Sequence, residues 1–293
     1  MIPGFLVQTV TSDDLILSGF YTSGDKSKPA NIFIHGFTSD FYSHKFFNEA
    51  IKALNKDNNC AIAIQTRGTG IYTEFLKGNW LDGVNIGSYY EKLEEANLDI
   101  SAWIDFLMAQ GYTSFNLIGH SLGTIKSVRY LFEGKYKNNI NSLVLLAPFD
   151  KNGYIIRHSG DKFKTRLQDV EEQIKAGKGQ EIVPSDYEDY PISYDTYKSW
   201  YAQDELSCMF DFYKGDNYNY PILSQIKIPV QIIVGDKDEY FYINEFNNLN
   251  QVKSILNNHI SNLKLDIING ADHCYVGYEH QVSNLVSNFV NGQ

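Results

Sequence analysis

The feature that most constrains this chain is a series of short strand candidates, most of them near-continuous apolar runs: NIFIHG from Asn31, AIAIQ from Ala61, FNLIGH from Phe115, SLVLLAP from Ser142, VQIIVG from Val230 and LKLDII from Leu263. Runs this short, with little polar alternation, suit strands buried on both faces. Strands of that kind belong to mostly parallel sheets covered by helices. Two further runs, FLVQTV (Phe5 to Val10) and LILSGFY (Leu15 to Tyr21), flank the turn signal TSDD and predict an antiparallel hairpin ahead of the parallel strands. The expected class is α/β, with an eight-stranded, mostly parallel sheet and helices on both faces.

Helical spacing fills the intervals. Helices are expected over Ser43 to Lys56, Tyr90 to Gln110, Leu122 to Glu133, Ile243 to Asn258 and His280 to Val290. The second carries Leu98, Trp103, Phe106 and Leu107 on one stripe and stops at Gly111. From about Lys151 to Tyr220 the rhythm breaks, and the stretch is dense in Tyr, Phe and Trp. It reads as an inserted cap or lid (151–220) on a core made of 1–150 and 221–293.

Composition narrows the function classes. The 293 residues carry 43% hydrophobic and 20% charged side chains, an ordinary globular balance rather than a disordered one. The formal net charge of -10 argues against a phosphate backbone as partner, so no nucleic acid is expected. No apolar run is long enough for a membrane span, and the start of the chain has no charged-then-apolar secretory pattern. Cys60, Cys208 and Cys274 are an odd, irregularly spaced set, which fits a reducing, cytoplasmic setting. Oligomeric state is not legible.

Chemistry enters with Gly119-His120-Ser121-Leu122-Gly123, a G-x-S-x-G between a strand candidate and a helix candidate. The turn demands glycine on either side and holds the serine strained, with its hydroxyl exposed. Serine needs a base to take its proton, and the base needs an orienting acid. Both are expected downstream, on loops leaving carboxyl ends of parallel strands, because those loops share one edge of the sheet. His273 is the one histidine beyond the acid loop that directly follows a strand candidate. In Gly235-Asp236-Lys237-Asp238 two aspartates compete: Asp238 is favoured as the acid and Asp236 as a turn cap. Asp150, after the Ser142 run, is a third option, read first as a hinge or cap. Acyl transfer also needs oxyanion donors, predicted as the backbone N–H groups of Phe37, in His35-Gly36-Phe37, and of Leu122 at the helix start.

These motifs resemble the α/β-hydrolase superfamily in its serine esterase, lipase and peptidase branch: HGF at 35–37, GHSLG at 119–123, GDKD at 235–238 and GADH at 270–273, in family order. The resemblance implies Ser121 as nucleophile, Asp238 as acid, His273 as base, and Phe37 with Leu122 as oxyanion donors. A serine in the elbow is unlike the aspartate of the dehalogenase and epoxide hydrolase branches. No cofactor is expected, and no metal motif such as H-E-x-x-H occurs.

The expected activity is hydrolysis of a carboxylic ester through an acyl-enzyme. Thioesterase and peptidase activities share the machinery, and a ligand-binding protein on the same scaffold is the competing class. The substrate is expected to be a small-molecule ester, bulky or aromatic, held by Tyr194, Tyr197, Trp200 and Tyr201 of the insertion. Arg157 reads as a surface ion pair rather than a carboxylate clamp, and GNWLDGVNIGSYY (78–90) as a surface loop with some prospect of lining the pocket.

Overall fold

A computed structural model describes residues 3–241 and 248–292. In chain order its elements are β1 (Phe5–Val10), β2 (Ile16–Thr22), β3 (Ala30–Ile34), α1 (Lys45–Lys56), β4 (Ala61–Ile64), β5 (Glu74–Leu76), β6 (Gly83–Asn85), α2 (Ala96–Ala109), β7 (Phe115–His120), α3 (Leu122–Glu133) and β8 (Ile140–Leu146). There follow α4 (Lys151–Ser159), α5 (Lys162–Lys175), α6 (Tyr194–Trp200), α7 (Pro221–Gln225), β9 (Val230–Gly235), α8 (Leu249–His259), β10 (Leu263–Ile268) and α9 (Glu279–Asn291).

The eight-stranded sheet runs β1-β2-β4-β3-β7-β8-β9-β10. Only β2 breaks the parallel order, pairing antiparallel with β1 on one side and β4 on the other. The near-continuous apolar runs are β3, β4, β7, β8 and β9, and burial on both faces is why they need no polar alternation. At the rim, LKLDII of β10 alternates Lys264 and Asp266 with Leu and Ile and stays half-buried, as an edge strand does.

Alternate residues divide between two cores. Phe33, Ala63, Ile118, Val144 and Ile233 pack under α1 and α9 with Phe46, Phe47, Ile51, Val282 and Val286. Ile32, Ile34, Leu117, Leu145 and Val234 face the opposite side, against Trp103 and Leu107 of α2, Ile125 and Val128 of α3, and Ile255 of α8. The second core continues without a break into Tyr197, Tyr201, Phe210 and Phe212 from the segment between β8 and β9.

Some boundaries move. The helix expected from Tyr90 starts in a 3-10 turn (Leu93–Glu95) and becomes α-helical at Ala96. The helix expected over Ile243 to Asn258 is described from Leu249, its earlier residues lying outside the described ones. Within the 78–90 stretch, Gly83–Asn85 pairs with Glu74–Leu76 as a small antiparallel ribbon.

Candidate active site

Strand β7 lies between β3 and β8, and the order of strands reverses there, because β3 is followed by β4 on one side and β7 by β8 on the other. In sheets of this kind the crevice beyond the carboxyl ends of the strands, at such a reversal, holds the ligand. Ser121 follows β7 directly with φ 52° and ψ −121°, a left-handed backbone for a residue with a side chain, and caps the N-terminus of α3. The glycines make the turn possible by contact as well as by conformation. A Cβ at Gly119 would stand 2.3 Å from the Gly123 carbonyl oxygen, and one at Gly123 would stand 2.2 Å from that of Ile34. Both separations are closer than real Cβ contacts allow.

The β3 loop meets the same point. Register sets Ile34 opposite Gly119, and a Cβ on Gly36 would lie 2.9 Å from that of Ser121. His35 is wholly buried; its Nδ1–H donates to the Gly36 carbonyl at 2.8 Å while Nε2 accepts from Thr66 N–H at 3.1 Å. Burial pushes its pKa down to about 3, so it is a neutral structural hook for the loop. Ser88, also buried, accepts from the Thr38 N–H at 2.9 Å and fixes the far side of the loop. Among the described residues, the N–H groups of Phe37 and Leu122 make no hydrogen bond within the chain, and Leu122 N–H belongs to the open first turn of α3.

The downstream loops converge as the strand order requires. His273 Nδ1 lies 2.9 Å from Asp238 Oδ1, and that oxygen also accepts from the N–H groups of Tyr240 (2.9 Å) and Phe241 (3.1 Å). The Asp238 side chain is buried and that of His273 is slightly open. Asp236 is engaged elsewhere, accepting from Gly270 N–H at 2.7 Å. Asp150 caps α4 through Gly153 N–H at 2.8 Å and accepts from Tyr213 N–H at 3.0 Å; burial, with Asp211 nearby, pushes its pKa up to about 8. A Cβ at Gly235 would be 2.0 Å from the Ala271 carbonyl oxygen, so that glycine lets the acid and histidine loops touch. His120, in the elbow's variable position, donates from Nε2 to the His273 carbonyl at 2.9 Å. Burial and the neighbouring imidazoles of His44 and His273 hold His120 neutral.

Ser121 and His273 open into one cavity of about 250 Å³, also lined by Phe37, Trp200 and Tyr201. Two of the expected substrate residues therefore stand on its wall. Tyr194 and Tyr197 do not: both are buried behind it, Tyr197 packed against Tyr187 and Tyr201. Exposed Arg157 and the 78–90 stretch are also absent from the lining. Sequence reasoning missed His44, Phe149, Tyr154, Glu188 and Tyr240. Of these only Tyr240, two residues past Asp238, stood beside a motif; the rest reach the cavity by packing alone. An arrangement of hydroxyl, imidazole and carboxylate beside two free backbone donors suits nucleophilic attack on a carbonyl.

No curated protein matches the chain. Among solved structures, an esterase of Pyrococcus furiosus, Pf2001, is 19% identical with a TM-score of 0.60, covering 99% of this chain and 91% of that one. Est1E from Butyrivibrio proteoclasticus, with ferulic acid bound, is 17% identical with a TM-score of 0.64, covering 98% and 99%. Mouse alpha/beta hydrolase domain-containing protein 10 is 16% identical with a TM-score of 0.64, covering 98% and 99%. At such identities the likeness is one of fold. The family model described as serine aminopeptidase, S33, matches residues 25–277, a span holding the elbow, the Asp238 and His273 loops and the Phe37 loop, and the chain accordingly belongs to that family of α/β hydrolases.

Proposed function

We propose that the protein hydrolyses carboxylic esters through an acyl-enzyme, with Ser121 as nucleophile, His273 as general base and Asp238 as its orienting acid. The observation that carries this reading is the 2.9 Å contact of His273 Nδ1 with buried Asp238, in a cavity that Ser121 shares. Held by Asp238, Nδ1 keeps its proton and Nε2 is left free to accept one. Ser121 Oγ attacks the ester carbonyl as its proton passes to His273. The resulting oxyanion takes hydrogen bonds from the Phe37 and Leu122 amides, each worth about 2.7–4 kcal/mol of barrier where such donors have been removed. His273 then protonates the departing alcohol, and a water, deprotonated by the same imidazole, releases the acid and restores Ser121.

Residues 151–220 act as a cap on the core formed by 1–150 and 221–293, and its Trp200 and Tyr201 cover the acyl or alcohol part of a bulky or aromatic small-molecule ester. The first test is intact-mass labelling with a fluorophosphonate. The natural chain should take one adduct, and Ser121→Ala and His273→Ala none. Ester, thioester and aminoacyl-amide substrates then rank the chemistry. A folded chain that takes no adduct and turns over no ester overturns the reading in favour of a ligand-binding protein.

A further inference from the structure

A buried ion pair is costly, because both charges leave water, and an apolar pair of similar volume often serves stability as well. Lys126 of α3 and Glu91 form such a pair: both side chains are wholly buried, with Nζ 2.5 Å from Oε1. The proposed hydrolysis uses neither. Besides Glu91 the ammonium reaches Thr66, whose Oγ1 accepts from Nζ at 3.1 Å.

From Thr66 the hydrogen bonds run head to tail toward the cavity. The Gly36 carbonyl only accepts, so His35 carries its proton on Nδ1 and leaves Nε2 as an acceptor. With its oxygen engaged by the ammonium, the Thr66 hydroxyl has its proton to give, and it lies 3.1 Å from that Nε2. The Thr66 N–H and the Thr69 hydroxyl share the same lone pair, at 3.1 and 3.0 Å. Burial first and the Lys126 charge second hold His35 neutral, as this arrangement requires. Among the described residues no peptide is cis, so the N–H of the unit joining Gly36 to Phe37 points opposite to the carbonyl that His35 holds. That N–H is the Phe37 donor, and Phe37 lines the cavity with Ser121.

We infer that Lys126 is a positioning residue for the reaction: through Thr66 and His35 its ammonium orients and polarises the Gly36–Phe37 peptide, making the Phe37 N–H a stronger donor to the developing oxyanion. The inference rests on the proposed roles of Ser121 and Phe37. Hydrogen bonds in a chain strengthen one another, and a positive charge at the donor end acts on every bond in the same sense. No proton moves along the chain. Because α3 begins at Leu122, Lys126 also ties both proposed donors to one helix.

The test uses two changes. Lys126→Met with Glu91→Met removes both charges and leaves neither buried alone; Thr66→Val cuts the chain one link later, and serves by itself if the double variant does not fold. With p-nitrophenyl butyrate each should lower kcat by about tenfold with KM little changed, a fraction of the roughly 10²–10³-fold cost of removing a whole oxyanion donor. Affinity for a trifluoromethyl ketone, which becomes a serine-bound oxyanion, should fall by the same factor, and affinity for the matching methyl ketone should not move. Joined in one triple variant, the changes should cost no more than either alone, because they interrupt the same chain. An unchanged kcat in a folded variant, losses that multiply, or equal loss for both ketones overturns the inference and leaves the hydrolase reading standing. If the natural chain neither takes the fluorophosphonate nor turns over an ester, that reading has failed instead, and NMR of the Phe37 amide proton decides. An upfield move of that signal in the variants supports the polarised chain, and an unmoved signal overturns it.

Discussion

Ser121 adopts a backbone conformation that costs a residue with a Cβ about 1–3 kcal/mol. That strain is the local condition for exposing its hydroxyl, and it has a measurable signature. Ser121→Gly and Ser121→Ala should both lose activity, with the glycine variant the more stable of the two by about 1 kcal/mol in urea unfolding. Asp238→Asn should leave the fold intact and lower kcat by about 10⁴-fold, because an amide cannot hold the required imidazole tautomer. His35 supplies a pH prediction. Its folded pKa, about 3, lies below its unfolded value near 6.5, so as pH falls through 6.5 the unfolded chain takes a proton that the folded chain refuses, and stability drops. Between pH 7 and pH 5 this histidine should account for about 2 kcal/mol of loss. His35→Gln should therefore lose about that much less than the natural chain over the same interval, measured by denaturant unfolding at each pH.

At the scale of elements, the loop after β3 that carries Phe37 is pinned at both ends. His35 holds the Gly36 carbonyl on one side and Ser88 holds the Thr38 N–H on the other. Ser88 Oγ also lies 2.8 Å from the Gly70 carbonyl and 3.0 Å from that of Gly68, which share its one proton, so it links the β3 loop to the segment after β4. Ser88→Ala removes the acceptor for Thr38 without touching the cavity. We expect kcat to fall by about tenfold with KM nearly unchanged, since a donor displaced by a fraction of an ångström serves the transition state more than the bound substrate. A fall in KM-side binding instead would mean that Ser88 shapes the pocket rather than the turn. Behind this loop lies a buried ion pair, Lys126 to Glu91 at 2.5 Å, whose lysine also donates to Thr66 at 3.1 Å. Thr66 N–H in turn donates to His35, so α3 and the Phe37 loop share one polar network.

For the whole molecule, the segment between β8 and β9 is packed as part of the main core. Tyr197, Tyr201, Phe210 and Phe212 sit in the same apolar cluster as the sheet strands Leu145 and Val234 come from. Unfolding should accordingly be a single transition seen alike by near-UV and far-UV dichroism. Tyr197 sharpens the point, because it is fully buried and its hydroxyl has no partner among the described residues. Tyr197→Ala should cost about 3–5 kcal/mol and shift the entire transition, whereas Tyr197→Phe, which removes an unsatisfied polar atom, should stabilise by about 1 kcal/mol. Calorimetry of the two variants checks both signs. An independent early transition in Tyr197→Ala would show the segment to be a separately folding unit.

What the sequence by itself determined is what local chemistry can encode. Short unbroken apolar runs between turn signals suit strands buried on both faces, and G-x-S-x-G between a strand and a helix makes a tight turn that excludes Cβ atoms at its flanks. Positions at the carboxyl ends of such strands meet at one edge because parallel strands all point the same way, which is why His273 and the GDKD loop were legible as neighbours. Tertiary structure decided the rest. The choice of Asp238 over Asp236 depends on a difference of two residues within one turn, and only the approach of the β9 and β10 loops, allowed by Gly235, directs one carboxylate to His273 and the other to Gly270. The division of these aromatics, with Trp200 and Tyr201 on the cavity wall and Tyr194 and Tyr197 behind it, has no local signal, because all four are large aromatics that lie on one short helix and its end. Glu188, Phe149 and Tyr154 reach the cavity from distant points of the chain, and such convergence is set by packing between elements, which no window of sequence contains.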